Sequence, residues 1–287
     1  MHGRQFMPLA LPVALMLSAP GQRPNIQQVE VANQLNQAGI ERYKGGQFDD
    51  ALSTFAKARD IYKASRDSRG EATALSEIAM CYAGLSQSQR AVELLEEAQR
   101  KWRQAGDRDN EASTLGKEGD VYREWGFPEL ALRRYKQALP LFLLAGDRAG
   151  RAATLNNIGL AYLDLENRKN ARVNFEAALG LYQSLDDAGG QASAMINIGV
   201  IHSRAHDPSK ALEVLNRALE LAKSLSDKSL EAGCLNAIGQ AYASLGDRGR
   251  ALESYNSALS EFRQIGNPGA NAEVIRNIEL LSAGKSR

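Results

Sequence analysis

The sequence predicts an all-α fold: a right-handed α-solenoid of six helical hairpins followed by a C-terminal capping helix. Three observations carry that prediction. From Val31 the chain repeats every 40 residues, in blocks 31–70, 71–110, 111–150, 151–190, 191–230 and 231–270, with a partial seventh from 271. Alanine recurs in fixed columns: column 2 (Ala32, Ala72, Ala112, Ala152, Ala192, Ala232, Ala272), column 21 (Ala51 to Ala251) and column 28 (Ala58 to Ala258). Within each block two segments carry apolar residues at helical spacing, separated by turn residues. A fixed period of this size marks stacked supersecondary units that bury a continuous core only by stacking.

Residues 1–21 precede the repeats. Arg4, an apolar run from Phe6 to Leu17, and small residues at Ala19-Pro20-Gly21 follow the order of a secretory signal. The run is shorter than the ~20 residues needed to span a bilayer. The expectation is an exported protein, secreted or periplasmic. Initiation at Met7 or Met16 is the alternative and gives a cytoplasmic product. Residues 22–30 are expected to link to, and begin, the first helix.

Block 231–270 shows how one repeat is built. Ala232, Leu235, Ile238, Gly239 and Tyr242 form one face of a first helix. Gly246 stops it, and Asp247 is placed to cap the second, which carries Ala251, Leu252, Tyr255, Ala258, Leu259 and Phe262 on one face. Gly266-Asn267-Pro268 ends the hairpin. Small columns mark places where two helix backbones approach closely. Column 9 (Gly39, Ala79, Gly119, Gly159, Gly199, Gly239) makes the same demand, since glycine otherwise costs a helix about 1 kcal/mol relative to alanine. Larger residues in columns 12, 25 and 32 fill the spaces between hairpins and read as core.

Small-x-x-Tyr in columns 9 to 12, alanine in 21, an aromatic in 25 and alanine in 28 form a signature. In block six it reads Gly239, Tyr242, Ala251, Tyr255 and Ala258, and it resembles the tetratricopeptide repeat. The 40-residue unit is similar to the longer subclass of kinesin light chains, spindle-orientation scaffolds and bacterial scaffolds with signalling domains. The family's terminal proline is absent from column 33, as a longer second helix requires. The resemblance covers residues 31–282, with local departures at Ala79, Leu95, Arg172 and His202. Residues 271–282 read as the capping helix, keeping Ala272, Ile275 and Ile278 but placing Glu279 in the glycine column; residues 283–287 read as a disordered tail.

Composition narrows function. Net charge is +1, and removal of residues 1–21 takes only Arg4 from the balance, leaving 34 basic against 34 acidic side chains. No footprint for nucleic acid or anionic membrane is present. Cys81 and Cys234 fall four repeats apart, roughly 30–40 Å at 8–10 Å per packed helix, and are expected to be free thiols. His202 and His206 have metal-ligand spacing, but His202 holds the tyrosine column and His206 a turn. Gly284-Lys285-Ser286 imitates the end of a phosphate loop, yet Glu279 stands where its first glycine belongs. No catalytic constellation, metal or cofactor is expected.

The resemblance implies that the first helices line a concave face that holds an extended peptide or a partner helix. The candidate groove residues at matching columns are Asn36, Tyr43, Met80, Asp120, Arg123, Asn156, Asn157, Leu160, Asn197, Val200, Asn236 and Gln240. An asparagine amide can donate to and accept from a peptide backbone. Two roles stay open for these asparagines: tracking a ligand chain, or hydrogen-bonding between neighbouring helices. Lys44, Arg123 and Arg204 are isolated among Asp120, Glu124 and Asp164, which gives no carboxylate clamp. The expected function is a non-catalytic protein–protein interaction scaffold, envelope-located in a bacterium, with a protein or peptide partner. The alternative is a peptide-sensing regulatory subunit whose solenoid changes curvature on binding.

Overall fold

The computed structural model describes residues 26–205, 207–266 and 268–284. Residues 1–25, which include the expected secretory signal, His206, Asn267 and residues 285–287 lie outside the described residues. Those described form thirteen α-helices: α1 (Ile26–Lys44), α2 (Phe48–Ala64), α3 (Ser68–Gly84), α4 (Ser88–Ala105), α5 (Arg108–Glu124), α6 (Pro128–Ala145), α7 (Arg148–Asp164), α8 (Arg168–Ser184), α9 (Ala188–Arg204), α10 (Pro208–Ser224), α11 (Lys228–Ser244), α12 (Arg248–Gln264) and α13 (Pro268–Ser282). Each packs chiefly on its neighbours in sequence, so α1–α12 are six stacked hairpins and α13 follows the last.

Turn chemistry sets the helix boundaries. Asp67, Asp107, Asp147, Asp187 and Asp227, all in column 37, each accept a hydrogen bond from the backbone N–H three residues on. This satisfies a donor the helix itself leaves free, worth about 1 kcal/mol. First helices therefore start at column 38, and α13 starts at Pro268 rather than Asn271. The residue before each of these caps is left-handed: Arg66, Gly106, Gly146, Asp186 and Ser226 all have positive φ. Arg66, Asp186 and Ser226 adopt it without glycine, at roughly 1–2 kcal/mol each.

The small columns have the packing role their recurrence implied. A Cβ added at Gly119 would meet Tyr135 at 2.4 Å, and one at Gly239 would meet Tyr255 at 2.5 Å. Column 9 is thus the seat for the column-25 side chain of the same hairpin. The alanines of columns 21 and 28 are fully buried in all six repeats, as is column 2 through Ala232. Cys81 and Cys234 are both buried free thiols; burial pushes each thiol pKa up to about 12, with Glu77 adding to the rise at Cys81, and a backbone hydrogen bond opposing it and Glu231 adding to it at Cys234.

The cap behaves differently from the expectation in one respect. Ala272 is exposed and Ile275 is 39% exposed, whereas Val274 is completely buried against Tyr255, Ala258 and Phe262. Column 2 faces a helix's own hairpin partner, which α13 lacks among the described residues. Column 4 faces the preceding repeat, which is present. Val274, Ile278 and Leu281 therefore close the solenoid, and Ala272 does not.

Candidate groove on the first helices

The first helices α1, α3, α5, α7, α9 and α11, with α13, present columns 6, 7, 10 and 13 on one side of the stack. Four polar side chains of column 7 are engaged. Lys117 donates to Glu77 at 2.8 Å, Asn157 to Asp120 at 2.9 Å, Asn197 to Asn156 at 3.0 Å, and Asn277 to Asn236 at 3.0 Å. In every case the column-7 side chain of one repeat reaches back to the preceding repeat. Asn156, Asn157, Asn197 and Asn236 are thus rungs of an inter-repeat ladder. One polar atom stays unspent at the start: Asn36 Oδ1 is buried with no hydrogen-bond partner among the described residues.

Between repeats five and six the rung is apolar. Ile196 and Ala237 replace the amide pair and pack together with Val200 and Ala241. Gly233 adds no side chain here, and a Cβ on it would sit 3.6 Å from Ile196 Cδ1. These small residues let α9 and α11 approach more closely than any other pair of successive first helices.

The other candidate residues divide into floor and network. Met80, Leu160 and Val200 are half-buried against the core, and Tyr43 meets Phe48 edge-on with ring centroids 5.4 Å apart. Asp120 accepts from the Tyr135 hydroxyl at 2.6 Å as well as from Asn157. Burial raises the Asp120 carboxyl from its ordinary value, against the lowering effect of the tyrosine hydrogen bond. Arg123 reaches Asp164 at 3.5 Å. Gln240 has no partner for its amide among the described residues and lines a cavity of about 380 Å³ with Ser203, Arg204, Ser244, Glu273, Arg276 and Asn277.

Two features escaped the reading by columns. Glu118 occupies column 8, where Ile78, Ile158, Ile198 and Ile238 stand, and is completely buried. Arg134 Nε lies 2.7 Å from its carboxylate and the same guanidinium is 3.3 Å from Glu96 on α4. Burial pushes Glu118 up to about 7, with Arg134 opposing and Glu96 adding to the rise. The departure from isoleucine was its available signal. The second feature is Arg276, which only the packing of α13 brings beside Arg204. Among the described residues no group of three or more His, Cys, Asp or Glu side chains gathers as a metal site, and no helix is long and apolar enough to cross a membrane.

Comparison with known proteins agrees with this architecture. Tetratricopeptide repeat profiles match residues 30–104, 71–143 and 150–224, and a second such profile matches 232–264. Among curated proteins none matches the chain. Solved structures share its fold. Aspartyl phosphate phosphatase F from Bacillus subtilis superposes with a TM-score of 0.68 at 12% identity, over 89% of this chain and 71% of that one. The Rap conjugation gene regulator of the plasmid pLS20, in complex with the Phr* peptide, gives 0.63 at 14%, over 90% and 75%. The kinesin light chain TPR-like repeats of Podosopora anserina give 0.53 at 15%, over 67% and 95%. Likeness at these identities concerns the fold alone. By its sequence profiles, the chain belongs to the tetratricopeptide repeat family.

Proposed function

We propose that this chain is a non-catalytic interaction scaffold that holds a peptide or a partner helix against its first helices. The observation that carries the reading is where the repeats differ. Columns 2, 21 and 28 keep alanine through all six blocks, while columns 6, 7, 10 and 13 of the first helices change from block to block. Packing duties explain the constant columns. The changing ones form a surface whose chemistry differs at each step, which is what a sequence-selective peptide site needs. The Rap regulator, a chain of similar fold solved in complex with a peptide, supports the reading.

A second reading, a peptide sensor that alters its curvature, draws on the uneven spacing of the first helices. The close approach of α9 and α11 sets repeats five and six apart from the other repeats. Export from the cytoplasm remains part of the proposal for residues 1–21, and intact-mass measurement of the native protein tests it. A mature start near Gln22 is expected; an intact initiator Met contradicts it.

Panning a displayed library of random dodecapeptides over the immobilised full chain tests the scaffold reading. Gly116 offers a blocking variant, because nothing lies within 4 Å of a Cβ added there. Gly116→Trp combined with Gln240→Trp should abolish capture of the enriched peptides, while Glu213→Trp, an exposed site on α10, should leave it unchanged. Absence of enrichment, or capture that survives the double block, contradicts the proposal.

A further inference from the structure

We propose that the exposed aromatic cluster at the α5–α6 turn is a second binding site, outside the groove, for a proline-rich segment in the polyproline II conformation. Two departures within one repeat build it. Column 15 holds Gly45, Leu85, Leu165, Ala205 and Leu245 in the other blocks, and Trp125 in the third. Column 17 holds Gln47, Gln87, Asn167, Asp207 and Asp247, and Phe127 in the third. Asn167, Asp207 and Asp247 each cap the helix that follows, whereas Phe127 gives α6 no side-chain cap. Trp125 is 43% and Phe127 45% exposed, so burial explains neither residue.

The rings are held in place by one another. Trp125 lies within 12° of parallel to Tyr122, with centroids 6.4 Å apart, and meets Phe127 edge-on at 5.2 Å. Both are favoured arrangements of aromatic pairs. Across from the indole stand the turn and first residues of α4 in the preceding repeat. Ser86 to Arg90 and Trp125 together enclose a cavity of about 250 Å³. None of these residues belongs to the candidate groove, so the site is separate from it.

Hydrogen bonding selects the occupant. No carboxylate lines the cavity among the described residues. Gln87, at the cap position of α4, makes no side-chain bond to that helix, which leaves the backbone N–H groups of its first turn as open donors. The Gln87 carbonyl oxygen accepts instead from Arg90 at 2.7 Å, and the Arg90 guanidinium lies over the Tyr82 ring. The Trp125 indole adds a further N–H at the opposite wall. The site thus offers flat rings and donors. A proline-rich segment offers the complement: aliphatic rings, carbonyl acceptors free of internal bonds, and no N–H at its prolines. Its backbone is already extended, so little order is lost on docking to aromatic rings. A helical segment spends its carbonyls internally and would leave these donors unmet.

Titrating the full chain with decaproline, acetylated and amidated so that it carries no terminal charge, tests the proposal by calorimetry and by acrylamide quenching of tryptophan emission. Trp102 is buried, so quenching reports chiefly on Trp125. Saturable heat with reduced quenching is expected. Trp125→Ala should weaken binding at least tenfold while circular dichroism shows the fold intact, and Trp125→Phe should recover part of the loss. Gln87→Asp copies the caps of Asp207 and Asp247. It should raise the urea midpoint yet weaken binding about threefold, because it consumes an N–H that the peptide uses. The Gly116→Trp, Gln240→Trp groove variant should bind decaproline as the unmodified chain does. No saturable heat, equal binding by Trp125→Ala, or equal binding of a glycine–serine decamer overturns the inference. Retention on phosphatidylcholine vesicles in place of decaproline, abolished by Trp125→Ala, also overturns it and makes the rings a membrane contact. None of these outcomes touches the scaffold reading, whose panning assay reads the groove.

Discussion

Two junctions in the solenoid join successive hairpins by opposite means. Between repeats two and three the contacts are charged: Lys117 to Glu77 on the first helices, and Arg134 between buried Glu118 and half-exposed Glu96. Between repeats five and six they are apolar, with Ile196, Val200, Ala237 and Ala241 packed together and α9 drawn close to α11. The 40-residue frame is the same at both. A repeat scaffold thus keeps its geometry through the small columns and lets the junction chemistry vary, provided each rung is satisfied on its own terms. An ion pair needs its partner, and an apolar rung needs the absence of charge.

Exchanging the chemistries should break the comparison most severely. Ala237→Glu copies the Glu77 residue type into a site that is 2% exposed and faces Ile196. No cation is placed to meet it, and a loss of about 3 kcal/mol or more in urea unfolding is expected. A loss below 1 kcal/mol would show that the apolar rung is not required. Arg134→Met should cost about 3–5 kcal/mol at pH 8, because it strands Glu118 as a buried charge. The same change should cost less at pH 5, where Glu118 is protonated.

The pH dependence of the unmodified chain sharpens the point. The folded-state pKa of Glu118 is raised to about 7 from an ordinary 4.5, so the folded state holds this proton more tightly than the unfolded chain. Its contribution to stability is therefore greatest below pH 4.5 and declines as pH rises from 4.5 through 7. Glu118→Ile, which restores the residue type of the other repeats, should remove this decline and raise the urea midpoint at pH 8 relative to wild type. An unchanged slope would show that Glu118 stays ionised throughout. The smallest effect is expected at the amide rung: Asn197→Ala should cost about 1 kcal/mol, since it removes a single hydrogen bond and leaves Asn156 half-exposed to water.

The fold was legible because its constraints are periodic. Ala51 through Ala251 announce close helix contacts six times over, and column 9 adds five glycines and Ala79, whereas the capping role of the column-37 aspartates shows only in their hydrogen bonds. The cap was read correctly as an element, with Ile278 among its packing residues, but Val274 was missed. Column identity suggested Ala272, whereas burial depends on which neighbour is present, and only the column-4 residue, Val274, faces one. The groove was less legible. Asn157, Asn197 and Asn236 have the same residue type whether they meet a ligand or a neighbouring helix, and their partners Asp120, Asn156 and Asn277 emerge only from the packing. Glu118 was hidden for another reason: it acts through Arg134 on a different helix, which no single column displays.

Hydrogen–deuterium exchange on the intact chain, with and without the strongest peptide from the dodecapeptide panning, tests the central claim most directly. The scaffold account predicts slowed exchange along the first helices α5, α7, α9 and α11 and along α13, with α6, α8, α10 and α12 unchanged on their outer faces. Protection confined to the second helices, or no change anywhere at saturating peptide, would contradict it.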